Sequence, residues 1–383
     1  MTADHASVPH ATVPEGRTYF PWLDALRGFA ALSVIAYHLI VLANLPVPAT
    51  MPWQWFRFGF LGVDLFFAIS GAVILLALEQ SRQRAPTRYR REFFRHRLAR
   101  ILPLYLITCV VFVLLVKPDI LQRPNLAHLL IAQLLFVQNL SASTHGVLNG
   151  PSWSLALEMQ FYVLMAFGGV LLLKSRAWMW PAVLFAIALG WRALVWWLDA
   201  GSHIGTPDPA QFIHASELPG VIDAFAAGMI VALWQRRRRA RGDASSAKLA
   251  LILGALALLC WLGALEWFIA RAGDYWTNPL SAIGLRSLTA IAGGLTVAAA
   301  FAAPTLRFGR TAMMLCGDLS YGLYLWHMPV LLWLQSRMPG DAPWRFAATT
   351  FAITIALSAL TWFAIERPIL RWARLPRSLP SMQ

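Results

Sequence analysis

Residues 23–39 read LDALRGFAALSVIAYHL, an apolar run broken by an arginine and a histidine eleven positions apart. Eleven residues are about three helical turns, so Arg27 and His38 share one helix face about 16 Å apart along the axis. The whole run, roughly 25–45, is long and apolar enough to cross a bilayer. Ionisable side chains are expensive in hydrocarbon, which makes both residues functional candidates. The plain alternative for Arg27 is that it snorkels to the near interface.

Nine more apolar windows follow, at roughly 60–79, 98–116, 152–173, 178–198, 218–235, 247–270, 281–303, 313–335 and 345–366. The stretch 126–139 is apolar but short and is expected to be interfacial or re-entrant. The predicted fold is therefore all-α: a polytopic membrane protein of about ten transmembrane helices. Composition agrees. The chain is 383 residues long, 58% hydrophobic and 13% charged, with a mean hydropathy of +0.57. A soluble domain carries about 25% charged residues. No internal repeat of the transporter kind is present.

The net charge of +14 would suit nucleic acid, but the cations lie in short blocks between apolar runs. Blocks occur at Arg82–Arg95, at Arg236–Arg241 with Lys248, and at Arg367–Arg377. The alternate connections carry few, and 199–217 carries none. This is the positive-inside pattern, with both termini expected in the cytoplasm and the lipid bilayer rather than nucleic acid as partner. Cys109, Cys260 and Cys316 lie in apolar stretches and are expected to be buried small hydrophobes. The first twenty residues are polar, so no cleaved signal peptide is expected.

Glu158 and His327 also interrupt apolar spans; Arg286 and Asp223 do so nearer the span ends. Counting the helical rise from each span end puts His38, Glu158 and His327 at similar depth. A buried histidine at such a level can act as general base on a hydroxyl, with a nearby carboxylate fixing its tautomer. The bland alternative is that these groups only satisfy one another between helices. Trp153 is expected near a sugar or acyl site or in plain packing. Asp64 is expected to bind an acceptor hydroxyl or to cap its helix. Phe66, Phe67, Ser70 and Gly71 are expected to allow close helix approach.

These residues fall in motifs that resemble the acyltransferase 3 family of membrane O-acyltransferases, which modify O-antigen, Nod factors, peptidoglycan and macrolides. After the Arg27–His38 motif come GVDLFFAISG (62–71), FFRHRLARILPLY (93–105), PSWSLALEMQFY (151–162), LSYGLYLWHMPV (319–330) and IERP (365–368), in the family's order. One departure is Glu158-Met159-Gln160 where the family usually has Glu-Glu-Gln. The resemblance implies an acyl-CoA donor, expected to be acetyl-CoA, as co-substrate. It implies His38 as the catalytic residue and Arg27, Arg97 and Arg100 as donor-binding residues. Arginine binds phosphate bidentately, which suits coenzyme A. Arg236–Arg239 are expected to serve topology and lipid contact. Glu158 is expected to orient His38, and His327 to contact substrate.

The expected activity is transfer of an acyl group to a hydroxyl of a glycan, lipid-linked sugar or small natural product, directly or through an acyl-histidine. No tightly bound cofactor and no metal are expected. The alternative is a transporter using its buried His and Glu as a proton relay. The expected location is a cell membrane, in a bacterium the inner one. The expected organisation is a flexible segment 1–20, a transmembrane domain 21–370 and a basic tail 371–383, with no fused esterase-like domain. The sequence carries no signal for oligomeric state.

Overall fold

A computed structural model of the chain describes residues 20–173, 179–199, 209–305 and 309–374. All regular structure in these residues is helical. The elements are α1 Pro21–Leu42, α2 Gln54–Arg57, α3 Gly62–Arg84, α4 Tyr89–Val111, α5 Leu126–Leu134, α6 Ser152–Leu172, α7 Met179–Asp199 and α8 Pro209–Ala215. They continue with α9 Leu218–Ala240, α10 Ala247–Ala270, α11 Arg286–Ala302, α12 Arg310–Arg337, α13 Pro343–Thr361 and α14 Arg367–Arg374. The segment expected over 1–20, apart from Phe20, lies outside the described residues, as does the expected basic tail beyond 374.

Nine helices among the described residues are long and apolar enough to cross a membrane. The remaining expected span, 313–335, lies inside α12, which is 28 residues long and is not among the nine. Its middle is sheltered by neighbouring helices: Ser320, Tyr324 and His327 are buried. A helix screened from lipid need not be apolar all round. The short expected interfacial segment appears as α5, of nine residues.

The outer face is apolar: Leu115, Leu251 and Leu259 are exposed, as suits side chains whose neighbour is lipid. Cys316 is likewise exposed, and Cys109 and Cys260 are half-buried rather than buried as expected, since lipid accommodates a small apolar side chain as well as the interior does. Inside, small residues let helices meet closely. A Cβ on Gly71 of α3 would meet the Phe225 carbonyl of α9, and one on Gly228 of α9 the Ala68 carbonyl of α3. In the same way, Gly317 of α12 accommodates the Asp24 side chain of α1.

The arginine-bearing connections gather at one end. Arg236 pairs with Glu79 at 3.0 Å, and Arg239 lies over the Phe20 ring. The Trp22 indole N–H donates to the Pro304 carbonyl, and the Ser246 N–H to that of Ala302. At the opposite end, Gln335 of α12 donates to the Leu42 carbonyl of α1. Helices α1 and α12 therefore run side by side in the same direction.

Candidate functional site

The parallel course of α1 and α12 brings two histidines together. His327 Nε2 lies 3.3 Å from His38 Nδ1, with ring centroids 5.1 Å apart. His38 Nδ1 is also 2.9 Å from the Val34 carbonyl one turn back. His327 is fully buried and lies against the Leu323 and Tyr324 carbonyls. Its Nδ1 makes no hydrogen bond of good geometry. These neighbours are acceptors, which favours a proton on Nδ1 and leaves the Nε2 lone pair facing His38. His38 can then hold its own proton on Nδ1, between two acceptors, with its Nε2 unprotonated and available as a base.

The ring of His327 is held from the opposite end of the bundle. Pro329 has no N–H, so the Leu325 carbonyl loses its helical partner. Asn149, buried and at φ 52°, donates its amide to that carbonyl at 3.1 Å. The Tyr324 hydroxyl donates to the Pro151 carbonyl at 3.0 Å and lies 2.7 Å from Ser154 Oγ. Residues 149–154 thus grip α12 at Tyr324 and Leu325, in the turn just before His327. Neither Asn149 nor Ser154 stood out in the sequence, where Asn-Gly-Pro at 149–151 reads as an ordinary turn.

Glu158 is placed differently from the expectation. It makes no hydrogen bond to either histidine. Its Oε1 accepts from Ser70 at 2.8 Å and from Tyr162 at 2.7 Å. Glu158 lies one turn, about 6 Å, along α6 from Ser154. Residue count fixes depth along a helix but not rotation about its axis, and packing turns the carboxylate toward α3 and Tyr162. The Arg97 guanidinium lies 5.8 Å from the Tyr162 ring centre, within the field of Glu158.

Arg27 and Arg97 do come together. Both line a cavity of about 510 Å³ at the arginine-rich end, with Arg84, Arg236, Arg239, Asp24 and Glu79. Asp24 pairs with Arg27 at 3.2 Å and Glu79 with Arg236. In all, the lining holds five guanidiniums against two carboxylates. Arg97 Nε is buried and has no hydrogen-bond partner among the described residues, a donor suited to an anion. Arg236 and Arg239, expected to serve topology and lipid contact, stand in this lining.

Arg100 does not line the cavity. It pairs with the buried Glu366 at 3.1 Å and lies between the Tyr321 and Trp362 rings. The π-helical turn Trp362–Glu366 delivers that carboxylate, so the IERP motif ties the end of the chain to α4.

Asp64 neither caps α3, whose N-terminus has no side-chain cap, nor stands open to an acceptor. It is 4% exposed and paired with Arg286 at 3.3 Å. Beside it, the buried Arg192 bonds Asp223, Ser287 and the Gly220 and Ile283 carbonyls. Arg192, within an apolar span, escaped the sequence reading. Trp153 stacks on His145 with centroids 5.8 Å apart and meets Phe212 edge-on. Burial lowers the His145 pKa to about 4, so this ring is neutral at pH 7.

Over 381 residues the chain is 28% identical to the peptidoglycan O-acetyltransferase OatA of Listeria monocytogenes, covering 94% of this chain and 57% of that one. It is 28% identical over 375 residues to the O-acetyltransferase OatA of Staphylococcus aureus, covering 92% and 57%. The chain thus spans a little over half the length of these relatives. No solved structure matches it significantly. The family described as an acyltransferase domain, acyltransferase 3, matches residues 20–363. The chain, a multi-pass membrane protein, belongs to this acyltransferase family.

Proposed function

We propose that this protein transfers an acyl group, acetyl as in the names of its relatives, from acyl-CoA to a hydroxyl of a glycan, lipid-linked sugar or small natural product. The donor enters the arginine-lined cavity, and the acceptor arrives from the opposite end. The positive-inside rule assigns the arginine-rich end to the cytoplasm, where acyl-CoA is made. Arg27 and Arg97 meet the CoA phosphates, with Arg84, Arg236 and Arg239 around them. The thioester reaches along α1 toward His38, about three turns away.

The observation that carries this reading is the His38–His327 contact, on the same helix as the cavity's Arg27. His38 Nε2 takes the acceptor hydroxyl proton as that oxygen forms a bond to the thioester carbonyl carbon. The carbon–sulfur bond then breaks, and the departing thiolate takes the proton from His38. While His38 is charged, its Nδ1–H faces the Val34 carbonyl and the His327 Nε2 lone pair. Two neutral acceptors thus do the work expected of a carboxylate. Attack by His38 itself on the thioester, giving an acyl-histidine, uses the same atoms.

The test is purified protein in lipid nanodiscs with radiolabelled acetyl-CoA and a cell-envelope glycan fraction. The expected result is acceptor-dependent CoA release with label in a hydroxylamine-labile ester, and neither with His38→Ala that still inserts and purifies as wild type. Label transfer by His38→Ala at the wild-type rate would overturn the mechanism. Absence of CoA release with any hydroxyl acceptor would overturn the function.

A further inference from the structure

A second cavity, of about 340 Å³, opens at the end of the bundle away from the arginine cluster. Its apolar wall includes Leu42 of α1 and Met328 of α12. Leu42 is one turn, about 6 Å, beyond His38 along α1, and Met328 adjoins His327 on α12, so the histidine pair lies just inside this cavity. Gly146 and Gly150, from the loop that grips α12, form another side. The two ionisable side chains of the lining are Lys117 and Arg123.

Both are cations, and they stand at the end where the charge pattern of the chain has few. The topology rule that accounts for the arginines at the other end does not account for these two. Lys117 has no side-chain partner among the described residues. Arg123 faces Asp119 at 3.5 Å, with both largely exposed, an arrangement that contributes little and is readily exchanged. Lys117 is set in place by its backbone, whose N–H donates to the Phe112 carbonyl at the end of a π-helical turn. Apolar neighbours on one side lower the local dielectric and strengthen attraction to an anion.

We propose that this cavity is the acceptor site and that it selects acceptors carrying a negative charge, a carboxylate or phosphate, close to the hydroxyl to be acylated. The proposal rests on the acyl transfer inferred above, since it places the acceptor hydroxyl at His38. It adds a specificity: Lys117 and Arg123 hold the anionic group while the hydroxyl points inward.

The test uses the full chain in phosphatidylcholine nanodiscs, with an oligogalacturonide and the matched neutral oligosaccharide as probes. Modification of Lys117 by an amine-reactive ester is followed by mass spectrometry beside acetyl-CoA-dependent transfer. The oligogalacturonide is expected to slow Lys117 modification and to be the better acceptor by about tenfold, the size of one charge-assisted hydrogen bond. The double variant Lys117→Ala/Arg123→Ala is expected to lose that preference, and Lys117→Arg/Arg123→Lys to keep it.

Equal protection by the two sugars, or none by either, overturns the proposal. So does protection that comes from anionic lipid in the nanodisc without sugar, which makes the cavity a headgroup site. Protection by the oligogalacturonide without CoA release on any acceptor supports the anion site while removing the acyl-transfer reading, so the two failures are told apart.

Discussion

A histidine that serves as base must have its tautomer fixed and its charged form stabilised. His38 has the Val34 carbonyl and His327 Nε2 for both purposes. Replacing His327 with Ala is expected to lower kcat by about 10²-fold, within the ordinary range for general-base catalysis. His327→Gln, whose amide oxygen can accept the same proton, is expected to recover part of the loss. A His327→Ala enzyme with wild-type kcat would remove His327 from the mechanism. The arginines separate in the same way. Arg97→Ala is expected to raise the KM for acyl-CoA by roughly tenfold, the loss of one charge-assisted phosphate contact. Arg100→Ala is expected to act on stability instead, by about 2 kcal/mol, because it strands Glu366. Arg100 is a quarter exposed, and that limits the cost. Thermal unfolding and donor titration of the two variants distinguish these effects, and a raised KM in Arg100→Ala would refute the assignment. The spacing of Arg27 and His38 was legible in the sequence because one helix fixes both distance and face. The partner of His38 was not. Depth along a helix can be counted from residue numbers, whereas rotation is set by packing, and packing turned Glu158 toward Ser70 and Tyr162.

At the scale of elements, the site depends on a fault in α12. Pro329 removes the N–H that would have bonded Leu325, and Asn149 supplies the missing donor from a loop far away in the chain. Asn149→Ala would leave a buried carbonyl unpaired, at a cost of about 1–3 kcal/mol. It would also loosen the turn that carries His327. The expected outcome is a lower melting temperature together with lower kcat. Pro329→Ala restores the N–H, so the double variant Asn149→Ala/Pro329→Ala is expected to be more stable than Asn149→Ala alone. A double variant no more stable than the single one would show that the Leu325 carbonyl is not what Asn149 serves. The spans themselves were legible because about twenty apolar residues in a row allow one answer in a bilayer. Helix α12 was predicted as a span despite its polar middle, and its screening by α1 and α13 explains how it tolerates Asp318, Tyr324 and His327. The loop 141–151 was not legible as part of the site, since its contacts are long-range and its turn residues are those of any connection.

Across the whole molecule, two cavities open at opposite ends, one rich in arginine and one bearing Lys117 and Arg123, with the histidine pair nearer the second. Sharing of one reaction between them requires that the ends face different compartments. The sign of the membrane asymmetry follows from cation density: the blocks Arg82–Arg95 and Arg236–Arg241 belong to the arginine-rich end, whereas 117–125, at the other end, carries Lys117 and Arg123 alone. This sets a test that does not depend on activity. In a background with Cys109, Cys260 and Cys316 replaced, single cysteines are introduced by Ser245→Cys and Gln122→Cys, both at exposed positions. A membrane-impermeant maleimide applied to intact spheroplasts is expected to label the cysteine at 122 and to spare the one at 245 until the membrane is broken. The reverse pattern would put the arginine-lined cavity outside the cell, away from any supply of acyl-CoA. A donor path from the cytoplasm would then fail however well the cavity suits phosphate. Labelling of both before lysis would mean that the inserted protein does not hold one orientation, and the two cavities could not act as donor and acceptor entrances.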